Sequence, residues 1–123
     1  MGTITIVGLG PAGIERIAPP AEEALGDAES TLIVRTGHHP AAAELALDRD
    51  FIACDDLYGE AGSFDAVYGA IAARVIDHAA AGPVVYAVPG SAVVGERSVS
   101  ILRERAAEHG YGFNLIPGES FLD

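Results

Sequence analysis

Thr3-Ile4-Thr5-Ile6-Val7-Gly8-Leu9-Gly10-Pro11-Ala12-Gly13 and Val84-Val85-Tyr86-Ala87-Val88-Pro89-Gly90-Ser91 decide the fold. Each is a β-branched apolar run that breaks into a loop built of Gly and Pro. Apolar runs with little polar alternation suit strands covered on both faces, the usual condition of a parallel sheet. In an open parallel sheet the loops at the carboxyl ends of the strands form the ligand crevice. Gly8, Gly10, Pro11, Pro89 and Gly90 remove side-chain bulk there or fix backbone direction, so that main-chain groups can face a small molecule. Two such loops on one sheet point to a nucleotide-like cofactor site.

Working outward, the same type of run recurs. Thr3–Val7, Thr31–Arg35, Phe51–Cys54, Val84–Val88 and Phe113–Ile116 read as strands. Helices fill the gaps. Pro20 suits a first helical position, with Glu22 and Glu23 near the positive end of the dipole. Pro40 opens a short helix through about Leu47. The longest helix runs from about Ser63, its N-cap, to about Ala81, with Gly82-Pro83 as the stop and Phe64, Val67, Tyr68, Ile71 and Val75 as the buried stripe. A last helix spans about Glu96 to His109, with Val99, Leu102 and Ala106 inward and Gly110 ending it. Strands and helices alternate, so the expected fold is an α/β open parallel five-stranded sheet with helices on both faces.

The 123 residues allow one domain with a real core, and 50% apolar with 20% charged residues is an ordinary globular balance. No apolar run reaches membrane-spanning length. The chain enters a strand-like run at Thr3 with no basic segment before it, so no signal peptide is expected. Cys54 is the single cysteine, which excludes an internal disulfide and fits a reduced core residue in a cytoplasmic protein. The formal net charge is −11, and all 7 basic residues are Arg. That balance argues against nucleic acid or an anionic membrane as partner. At the far end, Phe121 and Leu122 are apolar with nothing after them to bury them. Residues 1–123 are therefore expected to be the first part of a larger unit.

The string Gly8-x-Gly10-x-x-Gly13 also matches the dinucleotide-binding fingerprint. That fingerprint needs a helix directly after the loop, and Pro19-Pro20 leaves room for about one turn. The second strand ends in Arg35 rather than an acidic residue, so a nicotinamide-dependent oxidoreductase ranks last. His38 and His39 are adjacent, point apart and have no Cys/His partner set, so no metal site is expected. Asp55 and Asp56 follow the third strand at the rim of the cofactor loops. They are candidates to accept hydrogen bonds from a substrate or to act as a base, and equally a solvated turn. Tyr58 and Tyr86 read as packing residues. Glu96 and Arg97 suit a local ion pair of little weight. His78 and His109 lie at helix C-termini.

These residues resemble a family. Gly8–Gly13 is similar to the first loop of the tetrapyrrole methylases, usually G-x-G-P-G-D, and Val84–Ser91 resembles their second motif. Arg35-Thr36-Gly37-His38-His39-Pro40, Asp55-Asp56-Leu57-Tyr58, and Val88-Pro89-Gly90 with Glu96-Arg97-Ser98-Val99 resemble the methylase-like domain often fused ahead of a MazG-type nucleoside triphosphate pyrophosphohydrolase. The resemblance implies a two-domain α/β fold with S-adenosylmethionine in the cleft, of which this chain is the first domain. By position, the implied cofactor contacts fall on Pro11, on Val88, Pro89, Gly90, Ser91 and Val93, and on Ser120 and Phe121. Two departures stand out. Ala12-Gly13 replaces the usual Gly-Asp, and Val-Pro-Gly-Ser replaces G-G-D-P, removing an acidic side chain and pointing away from a tetrapyrrole acceptor.

The expected function is thus the N-terminal half of an S-adenosylmethionine-dependent methyltransferase acting on a small-molecule acceptor, with homodimerisation common in the family. The sulfonium is already a good leaving group, so shaped loops can suffice without a triad or metal. The alternative is a non-catalytic cofactor-binding or dimerising module that regulates a fused pyrophosphohydrolase.

Overall fold

Side chains alternate along a strand, so each inner strand here must supply apolar residues to both faces. The computed structural model describes residues 2–8, 23–26, 29–35, 50–60, 64–88 and 97–116. It contains strands β1 (Thr3–Gly8), β2 (Thr31–Val34), β3 (Ile52–Ala53), β4 (Val84–Val88) and β5 (Gly112–Ile116). The helices with described ends are α1 (Asp55–Glu60), α2 (Phe64–Ala79) and α3 (Arg97–His109), and residues 23–25 are helical as well. The five strands form one sheet in the order β3-β2-β4-β1-β5, and every pairing is parallel. The α/β open parallel sheet expected from the sequence is what forms.

The two faces bury different halves of the same strands. Ile4 and Ile6 of β1, Ile33 of β2 and Val84, Tyr86 and Val88 of β4 face one side, with Val67, Ile71 and Val75 of α2 and Val99, Leu102 and Ala106 of α3. Val7, Leu32, Val34, Val85 and Ala87 face the other, with Leu25. Handedness explains the division. The chain moves in one direction along the sheet from β1 to β2 to β3, and in the reverse direction from β3 to β4 to β5. Right-handed crossovers put connections running in opposite directions on opposite faces.

Local boundaries depart from the sequence reading in informative ways. Arg35 lies just past β2, yet its N–H still donates to the Ala87 carbonyl at 2.9 Å. Cys54 lies past β3, with its N–H on the Val34 carbonyl at 3.1 Å. Asp55 and Asp56 are not in a turn but in the first turn of α1, where carboxylates favour the helix dipole. The α2 stripe of Val67, Tyr68, Ile71 and Val75 also takes in Ala72, Ile76 and Ala79, the Phe64 side chain lies outside the described residues, and the helix ends at Ala79, short of Gly82-Pro83. At the end of α3, Gly110 takes φ 73°, its N–H bonds the Ala107 carbonyl and the Tyr111 N–H bonds the Ala106 carbonyl. This is a Schellman cap, the stop expected of Gly110. The helix expected after Pro40, the Ser63 cap, and the residues His38, His39 and Glu96 lie outside the described residues.

No helix among the described residues is long and apolar enough to cross a membrane.

Candidate functional site

Because all five strands are parallel, their carboxyl ends share one rim. Across that rim β1 and β4 are neighbours, and the register pairs Gly8 with Val88. On the other side of β1, Val7 pairs with Ile116, so β5 also ends at this rim. The connection leaving Gly8 heads toward β2 and the one leaving Val88 heads toward β5, in opposite directions along the sheet. Such a switch point is where open α/β sheets bind ligands. Gly8 is buried and has no side chain, and the buried Val88 side chain belongs to the α2–α3 face. Neither Gly8 nor Val88 carries a charged side chain to the rim.

Of the expected cofactor residues, Gly8 and Val88 are thus side by side. Gly10, Pro11, Pro89, Gly90, Ser91, Val93, Ser120 and Phe121 lie outside the described residues. Asp55 and Asp56 follow β3, the edge strand, two positions from β4 in the sheet order. At about 4.8 Å per strand step that separation is about 10 Å, too far for direct contact with Val88.

Asp56 is held by an arginine that no local sequence motif marks. Arg74 of α2 donates from Nη1 to Asp56 Oδ1 and from Nη2 to Oδ2, both at 2.9 Å. Its Nη1 also donates to the Ala53 carbonyl at 3.1 Å. The guanidinium fork thereby ties α1, α2 and the end of β3 together. Its hydrogen bonds hold the Asp56 carboxyl below the usual carboxylate range. A carboxylate so engaged is a poor base and a good anchor. Cys54 lies beneath this clip. Burial pushes its thiol up to about 11 despite the nearby Arg74 charge. It is therefore a protonated core residue rather than a nucleophile.

A second polar contact lies inside the α2–α3 face. The Tyr86 hydroxyl and Ser98 Oγ are 2.9 Å apart, and both residues are fully buried. Tyr86 is core, as its place in mid-strand suggests; the need to pair its hydroxyl was the one clue to Ser98. Among the described residues no group of His, Cys, Asp and Glu could hold a metal ion.

These features define an α/β protein with a topological switch point between β1 and β4. The chain belongs to the family of Tetrapyrrole (Corrin/Porphyrin) Methylases, whose model matches residues 3–123. It is 38% identical to the uncharacterized protein YabN of Bacillus subtilis (strain 168) over 123 residues, which are 99% of this chain and 25% of YabN. Its fold matches a uroporphyrin-III C-methyltransferase from Thermus thermophilus with a TM-score of 0.72 at 26% identity, covering 97% of this chain and 48% of that one. A structure of a Thermus thermophilus uroporphyrin-III C-methyltransferase complexed with S-adenyl homocysteine superposes with a TM-score of 0.69 at 22% identity, covering 98% and 50% of the respective chains. The chain thus spans a quarter of that relative and about half of these enzymes.

Proposed function

We propose that this chain is the first α/β half of an S-adenosylmethionine-dependent methyltransferase of the tetrapyrrole methylase type, acting in the cytoplasm on a small-molecule acceptor. The observation that carries this reading is the Gly8–Val88 register at the switch point. Main chain with no charged side chain suits a ligand recognised through backbone N–H and C=O groups, as an adenosyl group can be. The solved Thermus relative complexed with S-adenyl homocysteine supports the same choice.

In this reading Gly8, Gly10 and Pro11 form one wall of the cofactor site. Val88, Pro89, Gly90, Ser91 and Val93 form the second, and Ser120 and Phe121 extend it after β5. When bound, S-adenosylmethionine supplies a methyl group on a sulfonium that departs as a neutral thioether. The walls orient that methyl toward the acceptor and exclude water. Asp55 and Asp56 stand farther along the rim, where an acceptor rather than the cofactor would lie. Asp56, held by Arg74, fixes the position of α1 there. The remaining wall of the cleft comes from a second domain, and two copies of the full protein form a dimer.

A second reading is favoured by one comparison. The chain covers about half of the Thermus methyltransferase but only a quarter of YabN. That relative therefore has sequence to spare beyond a methylase-sized chain. The Val-Pro-Gly-Ser motif also lacks the acidic residue of G-G-D-P. Both suit a non-catalytic module that binds the cofactor and regulates a fused MazG-type pyrophosphohydrolase.

Calorimetric titration of the full-length protein with S-adenosylmethionine, S-adenosylhomocysteine and NAD tests the site. Binding of the first two and not the third is expected, and Gly90→Arg abolishes it while leaving the melting temperature unchanged. An unaltered affinity in Gly90→Arg removes the site from this rim. Cofactor binding without turnover over a panel of acceptors favours the second reading.

A further inference from the structure

The Tyr86 hydroxyl and Ser98 Oγ form a 2.9 Å hydrogen bond in a face whose other fully buried hydrophobic side chains are aliphatic, Cys54 excepted. Packing alone does not ask for it. Val99, Leu102 and Ala106 already bury α3 against the sheet, and a Phe–Ala pair would fill much the same space without polar atoms. Apolar burial is non-directional and tolerates a helix sliding along the sheet. A buried hydrogen bond does not, because it holds only over a narrow range of distance and angle, and its loss costs about 0.5–1.5 kcal/mol.

The position of the pair matters. Tyr86 is two residues before Val88, where β4 reaches the rim, and Ser98 is the second residue of α3. Both ends of the β4–α3 connection are thus tied by one contact. We propose that Tyr86 and Ser98 are positioning residues. Their hydrogen bond fixes where α3 starts against β4, and so sets the opening of the rim beside Gly8 and Val88 for an S-adenosyl ligand. The ligand class rests on the function proposed above; the positioning of α3 does not.

The test uses the full-length protein with Tyr86→Phe, Ser98→Ala, the double variant and, as a control for lost stability, Val75→Ala. Val75 is fully buried on α2, one turn from its C-terminus and toward the opposite rim. S-adenosylhomocysteine affinity is expected to fall about five-fold in each single variant, the factor that matches one net hydrogen bond. The double variant falls no further, because both changes break one interaction. Val75→Ala lowers the melting temperature and leaves affinity unchanged. Unchanged affinity in Tyr86→Phe, or an equal fall in Val75→Ala, overturns the proposal.

If the wild-type protein binds no S-adenosylhomocysteine, the methyl-donor reading fails and amide exchange decides the positioning separately. By helix geometry the Ile101 and Leu102 amides bond the Arg97 and Ser98 carbonyls. Their exchange is expected to be several-fold faster in Tyr86→Phe than in Val75→Ala. Equal rates overturn the positioning role.

Discussion

Gly8 and Val88 are Cα partners on the last rung of the β1–β4 ladder. One strand departs toward β2 and the other toward β5, so the chain leaves this point in both directions along the sheet. Divergence of neighbouring connections marks the place where open α/β sheets take their ligands.

Asp56 and Arg74 should make stability depend on acid. Arg74 lowers the Asp56 pKa in the folded chain, so the folded state holds its proton less tightly than the unfolded one. The stabilisation is therefore present above the ordinary carboxylate range and is lost as pH falls through the lower, folded value. Wild type should melt above Asp56→Asn at pH 7, and the gap should close on acidification. A gap that persists unchanged in acid removes the ion pair as its cause.

Cys54 should behave in the opposite sense at high pH. Its thiol is pushed up from an ordinary 9.0 to about 11. Its stabilising contribution is full below the unfolded value and is lost as pH rises through the folded one, because the unfolded chain releases the proton first. Wild type should lose stability between these two values, and Cys54→Ala should lose less. Ellman's reagent should react with the native thiol only slowly at pH 8, and promptly after denaturation.

Gly110→Ala should cost about 1 kcal/mol, because φ 73° is strained for any residue with a Cβ. Thermal melting should show a fall of several degrees with the fold intact. A Gly110→Asn variant should recover part of the loss, since Asn tolerates this region better.

Gly2→Ala should cost more than Gly110→Ala, for a steric reason. A Cβ at Gly2 would stand 2.6 Å from the Ala79 carbonyl oxygen and 2.8 Å from the Tyr111 ring. The carbonyl closes α2 and cannot yield cheaply, so about 1–3 kcal/mol is expected. Urea unfolding of both variants under the same conditions checks the order. Equal midpoints would show that α2 gives way at its last turn.

The parallel sheet was legible in the apolar runs at Thr3–Val7, Thr31–Arg35 and Val84–Val88, because strands covered on both faces need such runs. The stripe of α2 and the stop at Gly110 were legible too, since helical periodicity and left-handed backbone leave local marks. Helix α1 was missed: Asp55-Asp56-Leu57-Tyr58 is too short a stretch to show a period, and its dipole signal also suits a turn.

The strand order β3-β2-β4-β1-β5 belongs to tertiary structure alone. So do the Arg74 fork on Asp56 and the Tyr86–Ser98 bond, which join residues 18 and 12 positions apart. Local sequence sets which segments are strands and helices through backbone and burial preferences. Which strand lies beside which, and so which loops share a crevice, follows from packing both faces of one sheet with right-handed connections, a condition on the whole chain.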